Sequence, residues 1–287
     1  KVIFWWEWAH RFLGRLIGIS FLVPLIYFSF RVKFSKLIGL YFIFFLICFQ
    51  GFIGWYMVSS GLIDRVDVSH FRLSVHLLVA FFILSLIFWN YLKIKVKISP
   101  KKKINSLIPL TFLIISLLLW NYLHLNKNEN FNINLKFSIF LFFLFSIFCQ
   151  IIIGAFVSGM DAGQIYNSWP LMGSTYFPDD NNYSNIFKIS AFSDPSLVQF
   201  MHRNLAYLIL IFYLIIAYKV YKEKLAQLYL AINLVGLILF IQILLGILTL
   251  LYGAQIVLAS MHQVSSIFLV SSSIYLLFLS TNQRLSN

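Results

Sequence analysis

The chain alternates between long apolar runs and short polar stretches. Runs at 10–29, 37–58, 71–92, 137–158, 202–218, 226–250 and 259–280 each approach the roughly 20 residues that carry a helix across a hydrocarbon core. They are continuous rather than alternating, and about twice as long as a barrel strand, so a transmembrane barrel is excluded. The predicted fold class is an all-α polytopic membrane protein. A further apolar run at 107–124 sits awkwardly in the series. It nearly copies 81–92 ("FFILSLIFWNYL" against "FLIISLLLWNYL"), which suggests a local duplication. Pro109 and the weakly charged stretch after it offer no firm anchor, and the run is predicted not to complete a crossing.

Composition agrees with this reading: 61% of the 287 residues are hydrophobic and only 11% charged, against about a quarter charged in soluble domains. The net charge of +13 invites a nucleic-acid reading, but its distribution excludes one. Basic residues gather in three loops, around Arg31 to Lys36, Lys93 to Lys103 and Lys219 to Lys224, while the loops between them are acidic or neutral. That alternation is the positive-inside pattern of a chain embedded in membrane lipid. Cys48 and Cys149 fall inside spans and read as small core residues rather than a disulfide or a metal pair.

A repeat organises the spans. "QGFIG" at 50–54, "QIIIG" at 150–154 and "QILLG" at 242–246 each place Gln and Gly four residues apart, late in an outward-running helix. "EWAHR" at 7–11 and "VQFMHR" at 198–203 open inward-running helices, and His76 and His262 lie near the outer ends of two more. In order, the second half holds four members and the first three. The scheme therefore expects a further Gln-Gly helix before Lys1 and a first half cut short. Two four-helix bundles related by an axis along the membrane normal are predicted. The expected division is 1–95 for an N-terminal bundle with three helices present, and 96–136 for a basic loop plus the inserted apolar segment. Residues 137–287 would form a C-terminal bundle with a long outer loop at 159–197. The Gly, Pro and Asn punctuation of that loop predicts an ordered, turn-rich segment that caps the C-terminal bundle.

His10, His76, His202 and His262 occupy equivalent places. A lone buried histidine is ordinarily a satisfied polar residue. Four at repeat-related positions, each costing about 2.5–3.5 kcal/mol to insert, point to function. One imidazole from each of two helices suits bis-histidine heme ligation, whereas zinc needs ligands that no nearby Cys or carboxylate supplies. Arg11 and Arg203 follow a histidine, and Arg72 lies one turn before His76. All three are candidates for heme propionates, the alternative being snorkelling to headgroups, as for Arg15. His70 and His124 have no repeat partner and read as loop or interface residues. Glu7 stands three residues before His10, where the second half has Gln199. One site thus has a titratable group where the other has a neutral amide, and Glu7 is the candidate catalytic carboxylate. Its alternative role is simple pairing with an arginine.

The stretches "WWEWAHRFLGRLIG", "QGFIGWYMVSSGL", "VSHFRLSVHL", "QIIIGAFVSGMDAGQIYNSWPLMG", "VQFMHR" and "LASMHQ" together resemble the heme A synthase family, in its alphaproteobacterial and mitochondrial branch. They span nearly the whole chain in the family's order. The resemblance implies eight helices in two pseudo-symmetric four-helix halves and oxidation of the C8 methyl of heme o to the formyl of heme a. It also implies heme b as a second, resident heme. By resemblance His10 and His76 hold heme o, His202 and His262 hold heme b, and Glu7 is the essential acid. Heme o synthase and the cytochrome oxidase assembly machinery are the implied partners, and a homo-oligomer is left open. The sequence departs from the family in lacking its first helix and in carrying the 107–124 insertion.

Two other readings stand beside this oxidoreductase. A bis-histidine diheme cytochrome that only relays electrons would share all four ligands but have no need of Glu7. A transporter would line a pore with its histidines and bind no heme. Phe-, Ile-, Lys- and Asn-heavy usage, with no targeting segment recognised, points to a bacterial inner (plasma) membrane rather than a mitochondrial one.

Overall fold

The computed structural model describes residues 2–61, 68–98 and 137–282. The 107–124 run and His124 lie outside the described residues. Among these residues are seven long helices: α1 (Val2–Ser29), α2 (Phe34–Gly61), α3 (His70–Ile98), α4 (Phe137–Gly159), α5 (Pro195–Lys222), α6 (Ala226–Leu251) and α7 (Ile256–Asn282). All seven are long and apolar enough to cross a membrane, and no strand occurs among the described residues. This is an all-α polytopic membrane protein. Several helices begin well before the apolar runs that announced them. The His-Arg turns at 7–11 and 198–203 are themselves helical, although a hydropathy reading counts them as ends.

Large apolar side chains face outward along the helices. Phe30, Trp5, Trp6, Phe45, Phe142, Leu208 and Phe240 are all more than half exposed. So much contiguous apolar surface suits a lipid environment rather than water. Cys48 lies on such an exposed face, and Cys149 is half-buried; both thiols are free. The expectation that Cys48 is a core residue is therefore corrected. A spanning helix is apolar on its lipid face as well as its packed face, so hydropathy cannot tell the two apart.

The chain divides into two compact units, Lys1–Ile87 and Phe88–Asn287. In the first, α1 packs along α2, and Ser29 and Tyr41 share a hydrogen bond of 2.6 Å near one end. In the second, α4 meets α5, α5 meets α6, α6 meets α7, and α7 returns to α4, which closes a four-helix ring. Small residues make the close crossings possible. Ser265, Ser266, Ser272 and Ser273 of α7 are buried, and their hydroxyls bond to carbonyls of their own helix, which removes the cost of burying them. Gly236 of α6 is tighter still: a Cβ there would sit on the hydroxyl of Tyr213.

The connection from Gly159 to Pro195 is ordered, as its punctuation predicted. It holds 3-10 turns at Ala162–Gln164, Tyr183–Phe187 and Ile189–Ser193 and an isolated bridge between Met172 and Thr175. Gly173 turns that bridge with φ +74, a conformation that L side chains rarely adopt. The segment has its own small core: Phe177, Ala191 and Leu197 are buried together against Phe200 and Met201. It ends on a helix cap, where the Asp194 side chain accepts from Leu197 N at 3.0 Å and Pro195 opens α5.

Candidate functional site: two histidine pairs

Each unit brings two of the four repeat-related histidines together. The rings of His10 (α1) and His76 (α3) have centroids 6.3 Å apart with planes crossed at 65°. Those of His202 (α5) and His262 (α7) stand 6.5 Å apart, crossed at 79°. Two metal–nitrogen bonds of about 2 Å each, plus the reach from each nitrogen to its ring centre, fill such a span. The pairs are too far apart for a hydrogen bond between rings and suitably spaced for one metal ion between them.

The surroundings speak against merely satisfied core histidines. Nδ1 of His76, His202 and His262 is buried without a hydrogen-bond partner among the described residues. Such orphaned polar atoms are rare and ask for an explanation. Nor do three or more His, Cys, Asp or Glu side chains converge anywhere among the described residues, which a protein-only zinc site requires. Heme brings its own four equatorial nitrogens and asks the protein for two axial ligands. The donor set present, two imidazoles and no more, fits heme.

The Gln-Gly motifs lie directly against the histidines. Nε2 of Gln50 donates to the backbone carbonyl of His76, that of Gln150 to His202 and that of Gln242 to His262, each at 3.0 Å. One turn further along, a Cβ on Gly54 would come within 3.2 Å of His76 Cε1, and Cβ atoms on Gly154 and Gly246 within 3.0 Å of Cε1 of His202 and His262. Each glycine therefore makes room for an imidazole. Each motif and its histidine also belong to consecutive helices of one hairpin.

The groups beside the first histidine of each pair differ. In the first unit, Arg11 donates to Glu7 Oε2 at 3.1 Å, both side chains at least half exposed. In the second, Gln199 is 3% exposed and donates to the carbonyl of Tyr166 at 3.1 Å. Arg203 donates to the same carbonyl at 3.0 Å, and also to those of Ser168 and Leu171. Arg72 lies over the ring of Tyr56, 4.8 Å from its centre.

A model of the cytochrome oxidase assembly protein family matches residues 1–109 and 107–274. Among curated proteins, the heme A synthase of Pelagibacter ubique is 44% identical over 98% of this chain and 75% of its own length. That of Flavobacterium johnsoniae is 37% identical, over 96% of this chain and 74% of its own length. The chain belongs to the heme A synthase family. The heme A synthase of Rickettsia bellii, 37% identical over 96% of the chain, makes the same point.

Family membership was legible from the motifs, but two features of the sites were not. The first is what the Gln and Gly residues touch. The second is how far Gln199 and Arg203 are committed to the connecting segment. The sequence reading offered Arg203 to a propionate, yet three of its hydrogen bonds go to segment carbonyls, and its Nε stays buried without a partner. The segment is held at further points: Tyr176 donates to Asn204, Trp169 to the Tyr207 hydroxyl, and Asn167 to the carbonyl of Leu250. Tyr166 donates to Asp179 at 2.6 Å and to Asp180 at 3.1 Å. Burial, then these carboxylates, push the Tyr166 hydroxyl well above its ordinary range. Burial alone would raise Asp180, but hydrogen bonds from Ser196, Tyr166 and Asn181 outweigh it and hold that carboxyl below 3.8.

Proposed function

We propose that the protein is an oxidoreductase of the bacterial inner membrane that converts the C8 methyl of heme o to the formyl of heme a. His10 and His76 hold the substrate heme, and His202 and His262 hold a resident heme b. The observation that carries this reading is the pairing of matched histidine spans with a carboxylate beside only one of them. When bound, heme iron would supply the redox centre, the electrons removed and the oxygen atom added being exchanged with co-reactants from outside the protein, and the protein supplies ligation, orientation and proton handling.

Glu7 lies one helical turn from His10 on the same face. Its Oε2 accepts from Arg11 at 3.1 Å, which fixes its direction. Oε1 is left to take up the proton released as the methyl group is oxidised. Gln199 cannot do this: an amide neither gains nor loses a proton at working pH, and its nitrogen is given to Tyr166. The C-terminal site therefore keeps its heme unaltered. The connecting segment, pinned by the residue next to His202, covers that end of the bundle and restricts water there. Heme o synthase would deliver the substrate, and the oxidase assembly machinery would receive the product.

Heme extraction after expression with and without a heme o supply tests this reading. Heme a that appears only with heme o supports it; unaltered heme b alone would indicate an electron-relay cytochrome instead. Glu7→Gln is expected to keep both hemes while abolishing the formyl product. Normal heme a output from that variant would overturn the catalytic assignment.

A further inference from the structure

The Gln-Gly motifs are the most regular feature of the molecule that the proposed chemistry does not use. Three copies on three helices make the same two contacts with the histidine of the next helix. A hydrogen bond of 3.0 Å goes from Gln Nε2 to the histidine's own carbonyl, and a glycine gap of 3.0–3.2 Å faces the ring's Cε1. Helix packing in general needs neither contact. In a helix the histidine carbonyl already has an intrahelical partner, so a second donor adds little stability there. What it adds is location: it fixes one peptide group relative to the neighbouring helix. The glycine then decides which ring rotamer fits. A methyl group in its place would press on Cε1 at a distance tighter than most real contacts allow.

The copies differ in one respect. In the C-terminal unit the same amide nitrogen also reaches the ring: Gln150 Nε2 lies 3.3 Å from His202 Nε2, and Gln242 Nε2 lies 3.4 Å from His262 Nε2. The Ser265 hydroxyl lies against both Gln242 Oε1 and the His262 carbonyl, with one hydrogen to give to either. Gln50 makes only the carbonyl contact, and Oε1 of both Gln50 and Gln150 is buried without a partner among the described residues.

We infer that Gln50–Gly54, Gln150–Gly154 and Gln242–Gly246 are ligand-positioning cassettes: each sets the place and ring rotation of one heme-ligating histidine. These are positioning residues, acting through the imidazoles and not on the heme. Outer partners that orient a metal ligand are worth about 10–100-fold in affinity for the metal group. The inference rests on heme ligation by the four histidines. It goes beyond that by assigning the residues that prepare them.

The test uses the full chain purified from membranes and reconstituted with heme b. The C-terminal heme is followed through its low-spin bis-imidazole spectrum and its midpoint potential. Gln150→Leu and Gln242→Leu, similar in size but without a donor, are expected to weaken retention of that heme about 10–100-fold and to shift its potential. The N-terminal heme should not change. Gly154→Ala should distort the low-spin spectrum through ring rotation even where heme is kept, and Gln50→Leu should alter only the N-terminal heme. Monodisperse variants in which both hemes keep wild-type spectra, potentials and affinities would overturn the inference. A wild-type protein that binds no heme would instead overturn the functional reading beneath it. A variant that fails to accumulate is replaced by Gln150→Met, which keeps the length but cannot donate. It should give the same local shift, and an unshifted spectrum would count against the cassette.

Discussion

The two histidine pairs have almost the same span, 6.3 Å against 6.5 Å, yet their neighbours do opposite things. In the first unit the carboxylate and the arginine beside His10 bond to each other and are exposed. In the second, the amide and the arginine in the same places both turn to one carbonyl, that of Tyr166. Two things differ: Glu7 stands where the second unit has Gln199, and the carbonyl reached in the second unit belongs to the segment that precedes α5. A carboxylate competes with a carbonyl for the arginine; an amide shares the carbonyl with it. Ligand spacing can thus be duplicated while the chemistry around it is divided, one site open and titratable, the other latched and neutral.

The largest expected effect comes from removing ligands one at a time. His76→Ala should release the N-terminal heme and leave the C-terminal one, and His262→Ala should do the reverse, as read by heme stoichiometry per chain. Loss of both hemes from either variant would break the picture of two separate sites. Next is Gln199→Glu, which gives the second unit the first unit's carboxylate. Arg203 should turn to it and leave the Tyr166 carbonyl, at a cost of about 1–3 kcal/mol. Limited proteolysis between 160 and 194 should then speed up correspondingly. Unchanged proteolysis would show that the latch does not depend on the amide.

A third prediction concerns packing. Gly236→Ala places a methyl group on the Tyr213 hydroxyl and should cost about 1–3 kcal/mol, seen as a lower melting temperature. Tyr213→Leu should restore part of that loss. The smallest effect is in acid. Asp180 is held below 3.8 by its hydrogen bonds, so its contribution to the latch is complete above 3.8 and is lost as pH falls through the lowered value. Tyr166, shifted upward, favours the latched form below 10 and loses that contribution only above it. Proteolysis of the segment should therefore be flat from mildly acidic to mildly alkaline pH and rise in stronger acid. Asp180→Asn should remove the acid step.

Much of this was legible in the sequence. Apolar run length gave the helices because a spanning segment has little choice of length. Repetition singled out His10, His76, His202 and His262, and the Glu7–Gln199 difference stood out once the halves were aligned. The tasks of Gln199 and Arg203 were not legible. Their partner Tyr166 lies more than thirty residues away, in a segment with no periodicity to reveal its course. Cys48 was misjudged for a different reason: inside a bilayer the hydrophobic signal that marks a core in water also marks the lipid face.

Each cassette and its histidine are joined by a single hairpin, so their meeting needs no other part of the chain. A ligand can be fully oriented as soon as two successive spans have entered the bilayer, while later helices are still being synthesised. In the C-terminal unit, where both histidines have a cassette, the site is then made by bringing two such hairpins together.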